Sequence, residues 1–195
     1  MSAGLKANAD GSAAIQVGGS DAITITSGLA VSMNGGAVYP ITSGTAVAST
    51  SGTSIDFTGI PSTAKRITVM FSGVSLSGSS SFLIQGGAGS IENTTYTSQC
   101  ALALASGGST QGLSSTAGFV FQSGNSTNVW SGHAILTLVN SNIWICSGVI
   151  AATFPPGTVT SGGTKTFSGT LDRVRLTTVN GTDTFDAGTV NIMWE

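Results

Sequence analysis

The sequence predicts an all-β protein: a jelly-roll-like antiparallel β-sandwich over residues 51–195, preceded by an extended β arm over residues 1–50. Three observations predict it. Apolar residues alternate with hydroxyl residues over long stretches and rarely recur at i, i+3, i+4, i+7, so the helical signal is absent. Gly and β-branched residues dominate, and both disfavour helices. Turn signals recur about every 8–12 residues from Ile55 onward, the spacing of a sandwich of short strands.

The arm comes first. Its strand-like pieces, Ala14–Val17, Ala22–Thr26 and Leu29–Ser32, are short and separated by glycines at 18–19, 28, 35–36 and 44. Each piece carries only modest apolar side chains, and a lone hairpin of this kind is marginal in water. Equivalent strands from several copies would bury Ile15, Val17, Ile23, Ile25 and Val31 together. The arm is therefore expected to attach and to intertwine in a homotrimer. The phrase Ile-Thr-Ser-Gly-x-Ala-Val occurs twice, at 25–31 and at 41–47, and reads as a short β-unit repeated.

The sandwich follows. Arg66–Val74, Ala134–Val139, Asn142–Ile150, Leu171–Val179 and Thr189–Trp194 read as strands, within a total of roughly eight. Ser77–Ser81 and Val139–Asn142 are turns, and Phe154–Gly157 breaks the chain with two prolines. Asn180-Gly181 is a hairpin signal. Gly86–Gly89 reads as a loop, because no helix or basic residue follows as a phosphate loop requires. Phe119, Phe121, Trp130, Trp144, Phe154, Phe185 and Trp194 lie among apolar neighbours and are expected in the core.

Composition narrows the function. The chain holds 29 Ser, 27 Thr and 28 Gly in 195 residues, and only 7% of it is charged. A typical soluble domain carries about 25%. Such a surface stays wet through hydroxyls and amides, as suits a protein locked in an assembly. The six basic residues, Lys6, Lys65, Arg66, Lys165, Arg173 and Arg175, form no stripe, which argues against nucleic acid. No apolar run approaches the ~20 residues of a membrane helix. The N-terminus has no signal-peptide h-region, so classical export is not expected. Cys100 and Cys146 read as two buried thiols.

Chemistry is sparse. His133 is the single histidine, too little for a metal site, and no G-x-S-x-G elbow marks a nucleophile for a Ser-His-acid relay. Asp172, Asp183 and Asp186 cluster in sequence, where a pair of carboxylates would be needed for glycoside cleavage. Turn bonding explains Asp183 and Asp186, and the neighbouring Arg173 explains Asp172. No enzyme activity, cofactor or metal is expected. The best recognition candidate is the polar stretch holding Asn93, Thr95, Tyr96 and Gln99, with Tyr96 as an exposed aromatic among adaptable amides and hydroxyls.

Three stretches resemble known sequences. Residues 9–31, ADGSAAIQVGGSDAITITSGLAV, resemble the N-termini of phage tail-fibre-type proteins. Residues 55–78 and 168–195 are similar to a β-domain recurring in phage tail fibres and related virion proteins. The resemblance implies a homotrimer whose N-terminal segment docks on the particle and whose C-terminal domain points outward. The expected function is that of a short trimeric tail fibre binding a host-surface glycan, since the chain is too short for a long shaft. The alternative is a capsid decoration, or cement, protein of the head. Expected partners are the baseplate or tail, or the major capsid protein. The expected location is the virion surface, after assembly in the host cytoplasm.

Overall fold

The computed structural model describes residues 3–17, 20–26, 31–33, 36–38, 40–107, 111–153 and 156–195. These residues are all-β, without a helix, and every sheet is antiparallel. No helix among them is long and apolar enough to cross a membrane. The chain divides into two compact units between Pro40 and Ile41.

The first unit is a five-stranded meander of β1 (Ala3–Ala7), β2 (Ala13–Val17), β3 (Ser20–Ile25), β4 (Val31–Met33) and β5 (Gly36–Ala37). The β1–β2 turn closes through Asp10, whose carboxylate accepts bonds from the Ser12 amide at 2.9 Å and the Ser12 hydroxyl at 2.6 Å. Opposed residues of an antiparallel pair share a face. One row across the sheet is therefore Leu5, Ile15, Ile23 and Met33, and the next is Ala7, Ala13, Ile25 and Val31. The opposite face is polar, with Lys6, Gln16, Thr24 and Ser32, and Gln16 donates to Asp21 at 2.6 Å.

The second unit has two sheets. The larger runs β13 (Gln111–Ser115), β12 (Thr97–Leu104), β17 (Pro156–Thr166), β16 (Ile143–Thr153), β15 (Trp130–Asn140), β9 (Arg66–Leu76), β19 (Phe185–Trp194). Two short strands, β6 (Thr42–Ser43) and β7 (Val47–Ala48), pair with β19 on its outer edge. The smaller sheet runs β11 (Ser90–Ile91), β10 (Phe82–Ala88), β18 (Arg173–Thr178), β8 (Ser54–Thr58), with β14 (Phe119–Phe121) also on β10. Pairing is nested: β9 with β19, β10 with β18, β12 with β17, β15 with β16.

One core joins the two sheets. Phe82 of β10 lies 6.0 Å from Phe71 of β9, 6.4 Å from Phe185 and 6.5 Å from Trp130, ring centre to ring centre. The Trp130 indole donates to the Ser123 hydroxyl at 3.1 Å, so its one polar atom is satisfied in the core. Phe119, Phe121, Trp144 and Phe185 are buried as expected, and Trp194 is half-buried. Phe154 lies outside the described residues. Cys100 and Cys146 are free and buried.

Four sequence expectations change. The boundary drawn at residue 50 moves to 40, because Thr42–Ser43 and Val47–Ala48 bond to β19. Asn180-Gly181 does not close a hairpin: β18 and β19 lie in different sheets, and the turn carries the chain between them. There Asn180 Oδ1 accepts from the Thr182 and Asp183 amides, which supplies the same local turn signal. Gly86 and Gly87 are strand, not loop. A Cβ on Gly86 would stand 2.7 Å from the Phe167 ring, and one on Gly87 1.8 Å from the Ser90 carbonyl oxygen. Finally, residues 156–166, read only as the sequel to a break, form a central eleven-residue strand.

Candidate functional site

The stretch singled out for recognition links β11 to β12. Asn93 and Thr95 are exposed there, and Gln99 is exposed on the outer face of β12. Tyr96 is the correction: it is 2% exposed and belongs to the core. Its ring meets Phe119 edge-on at 5.1 Å and Phe167 at 6.1 Å. Its hydroxyl accepts from the Gly86 amide and donates to the Glu92 carbonyl, both at 2.9 Å. Burial pushes its pKa well above the ordinary tyrosine value. A ring so enclosed offers no face to a ligand.

What holds the stretch in place is Lys165, which the sequence showed only as one scattered base. It points inward from β17 and is 4% exposed. Its ammonium meets Glu92 at 2.9 Å, the Thr94 carbonyl at 3.0 Å and the Thr95 hydroxyl at 2.8 Å. It also lies 5.2 Å from the Tyr96 ring centre and 5.6 Å from that of Phe167. A buried cation is tolerated only when so fully partnered. Burial works to raise the pKa of Glu92, but bonds from the Ser168 amide, the Lys165 ammonium and the Ser168 hydroxyl outweigh it and hold the carboxyl below its ordinary value. Thr95 takes a φ of 61°, a left-handed conformation unfavourable for a β-branched residue. The ammonium that grips its hydroxyl offsets that cost.

The available signal for Lys165 was the alternation of 156–166, in which Val159, Ser161, Gly163 and Lys165 share the inward face. Gly163 sits there because a Cβ would lie 2.4 Å from the Thr97 carbonyl oxygen. Beside the stretch, Thr97, Gln99, Ser114 and Thr116 line an open depression of about 400 Å3 that carries no charged side chain.

The other candidates are dispersed. His133 is exposed on β15, opposite Met70 and Val149, so no acid adjoins it in the sheet. Asp172 bonds Arg173 at 2.7 Å and the Gly89 amide at 3.2 Å, and Arg173 holds its carboxyl below the ordinary range. Asp183 accepts from the Asn180 side chain at 2.7 Å and the Ser80 amide at 2.9 Å, which also lower its pKa. Asp186 accepts from the Ser75 hydroxyl. Each acid serves its own turn or pair. No three potential metal ligands converge among the described residues. Burial raises both thiols, Cys146 to about 12, so neither is a ready nucleophile.

Of the arm residues expected to assemble, Ile15, Val17, Ile25 and Val31 are exposed and Ile23 is half-buried, all on one face of the first sheet. Leu5, 87% exposed, and Met33, 54% exposed, extend the same face. What these surfaces can do is bind: they offer an apolar sheet face and neutral hydrogen-bonding groups. No family model matches the chain, nor does any curated protein or solved structure.

Proposed function

We propose that the protein is a non-enzymatic structural component of a phage virion, a short homotrimeric tail fibre. In this reading residues 1–40 trimerise and attach to the baseplate or tail, and the sandwich points outward to bind a host-surface glycan. The observation that carries it is the exposed apolar face of the first sheet among the described residues. A sheet with one apolar face needs a second layer. Fully burying a Val, Leu, Ile or Met side chain stabilises by roughly 1.5–3 kcal/mol. Leu5, Ile15, Val17, Ile23, Ile25, Val31 and Met33 together thus match an association cost of roughly 4–15 kcal/mol. The charges of this unit lie on the other face or in the turns, so identical faces meet without repulsion.

The nested pairing supports a jelly-roll-like reading of the sandwich. The resemblance of residues 9–31, 55–78 and 168–195 to fibre sequences supports the virion setting, with assembly in the host cytoplasm. Weak sites on three sandwiches gain strength by multivalency. The reading involves no cofactor, nucleic acid or membrane insertion.

Sedimentation equilibrium of the full chain tests the assembly: three chain masses are expected, and a stable monomer overturns it. Electron microscopy of virions labelled with a Fab against the sandwich tests the place. Label on the tail is expected. Label across the head assigns the protein to capsid decoration, bound to the major capsid protein.

A further inference from the structure

We infer that the sandwich carries a saccharide site distinct from the 93–99 stretch, in the cleft between the 43–47 segment and strands β8 and β19. The inference rests on the glycan-binding reading above and names where and what the site takes. The cleft measures about 400 Å3, within the roughly 300–1,000 Å3 of small-molecule sites. Its walls are of two kinds. Half-buried Trp194 and exposed Val47 supply apolar surface, and Asp56, Thr45 and Thr58 supply polar atoms.

That pairing of surfaces matches the chemistry of a hexose. A sugar ring has an apolar C–H face that rests on aromatic or aliphatic surface, and a rim of hydroxyls that need acceptors and donors. Trp194 is half-buried, with part of its surface open, unlike Trp130 and Trp144, which are 0% and 3% exposed. Asp56 is the acceptor. Arg175 grips it twice, Nε to Oδ1 at 2.6 Å and a terminal nitrogen to Oδ2 at 2.8 Å. A carboxylate has about four acceptor positions, so about two remain for ligand hydroxyls. The Arg175 fork also fixes the carboxylate before a ligand arrives, and a preorganised acceptor loses less entropy on binding.

Charge sets the class. The Asp56–Arg175 pair is locally neutral, and the remaining wall is uncharged. An anionic sugar would meet the Asp56 carboxylate with no cation left to receive it. The ligand is therefore an uncharged hexose unit of a neutral polysaccharide. The wall itself is held in place by Gly44. A Cβ there would stand 3.1 Å from Asn191 Oδ1 and 3.2 Å from the Ile192 carbonyl oxygen, so glycine lets the segment run close along β19.

The test is a tryptophan-fluorescence titration of the full chain with mannan, dextran and galactan oligosaccharides, and with polysialic acid as the anionic probe. Binding in the cleft changes Trp194 emission and its quenching by acrylamide. At least a tenfold loss of affinity is expected for Asp56→Asn and for Val47→Trp, which fills the cleft from an exposed position, while Gln99→Ala binds as the native chain. Urea unfolding identifies a variant that has lost its fold, and the other variant then decides. Equal binding by the native chain and both cleft variants overturns this site and leaves the glycan reading standing. Binding of polysialic acid alone overturns the neutral class. No binding to any probe overturns the site and the glycan reading together.

Discussion

In the sandwich, alternate side chains of two sheets meet in one core; in the N-terminal sheet, most of the corresponding apolar side chains that are described are exposed. The strands are built from the same residues. Even the phrase Ile-Thr-Ser-Gly-x-Ala-Val is shared. In its first copy Ile25 pairs with Val31 across β3 and β4. In its second, Thr42 and Ser43 pair with Trp194 and Met193, and Val47 pairs with Val190. The two stretches of one phrase thus have different partners. Local sequence sets the strand and the fold sets its partner, while Ile25, Val31, Ile41 and Val47 are exposed in both copies.

Substitutions can break this comparison, and their effects on the sandwich are expected to fall in order. Phe82→Ala removes a fully buried ring in contact with Phe71, Trp130 and Phe185, and should cost about 3–5 kcal/mol in urea unfolding. Glu92→Gln comes next. It leaves the Lys165 ammonium buried without its carboxylate, and stranding one charge of a buried pair costs roughly 3 kcal/mol or more. Because Glu92 is 18% exposed, the lower figure applies. Lys165→Met leaves only the wetter partner stranded and should cost less. The reverse order in unfolding measurements would show that the cation is not what organises this corner.

Acid sharpens the same point. The Glu92 carboxyl titrates below its ordinary value of 4.5 in the folded protein. Its stabilising contribution is therefore complete above that value and is lost as pH falls through the lowered folded value. The native chain and Glu92→Gln should differ most at neutral pH and converge as pH falls below the lowered folded value. Asp172 and Asp183 are also lowered, but they titrate alike in both proteins and drop out of the difference. A gap unchanged by acid would contradict the pairing. The smallest effect on the sandwich is expected from Ile15→Asp with Ile25→Asp. These should abolish the oligomer in sedimentation yet move sandwich unfolding by less than about 0.5 kcal/mol, as for surface changes. A large loss would mean that the two units do not stand independently.

Much of the sandwich was legible because period-two alternation survives in its apolar strands. Arg66–Val74 and Ala134–Val139 each lie within a strand of the larger sheet, and Asn142–Ile150 does so from Ile143 onward. What escaped was written in glycine. Gly86, Gly87 and Gly163 punctuate a sequence as turns do, yet here they are required where a ring or a neighbouring backbone comes too close for any Cβ. Nothing within a few residues of them announces Phe167 or Thr97. The burial of Tyr96 is hidden for the same reason. Its surroundings in sequence are polar, while the groups that enclose it, Phe119, Phe167 and Gly86, come from elsewhere in the chain. Lys165 was hidden because a charged residue gives no apolar signal. In the N-terminal sheet, the face formed by Ile15, Val17, Ile23, Ile25 and Val31 was readable, since its rows depend on short-range register alone.

The nested pairing also sets a timetable. Strand β9 lies between β15 and β19, so Ile67 waits for Leu136 and then for Trp194. At a synthesis rate of roughly 5–20 residues per second, that wait lasts several seconds. Until β15 is made, this eleven-residue strand has both edges unpaired, and until β19 is made one edge stays so, the condition in which chains join wrongly. The N-terminal sheet needs no such delay, because each strand pairs with the next one made. A chain cut short before Phe185, by contrast, keeps one edge of β9 open.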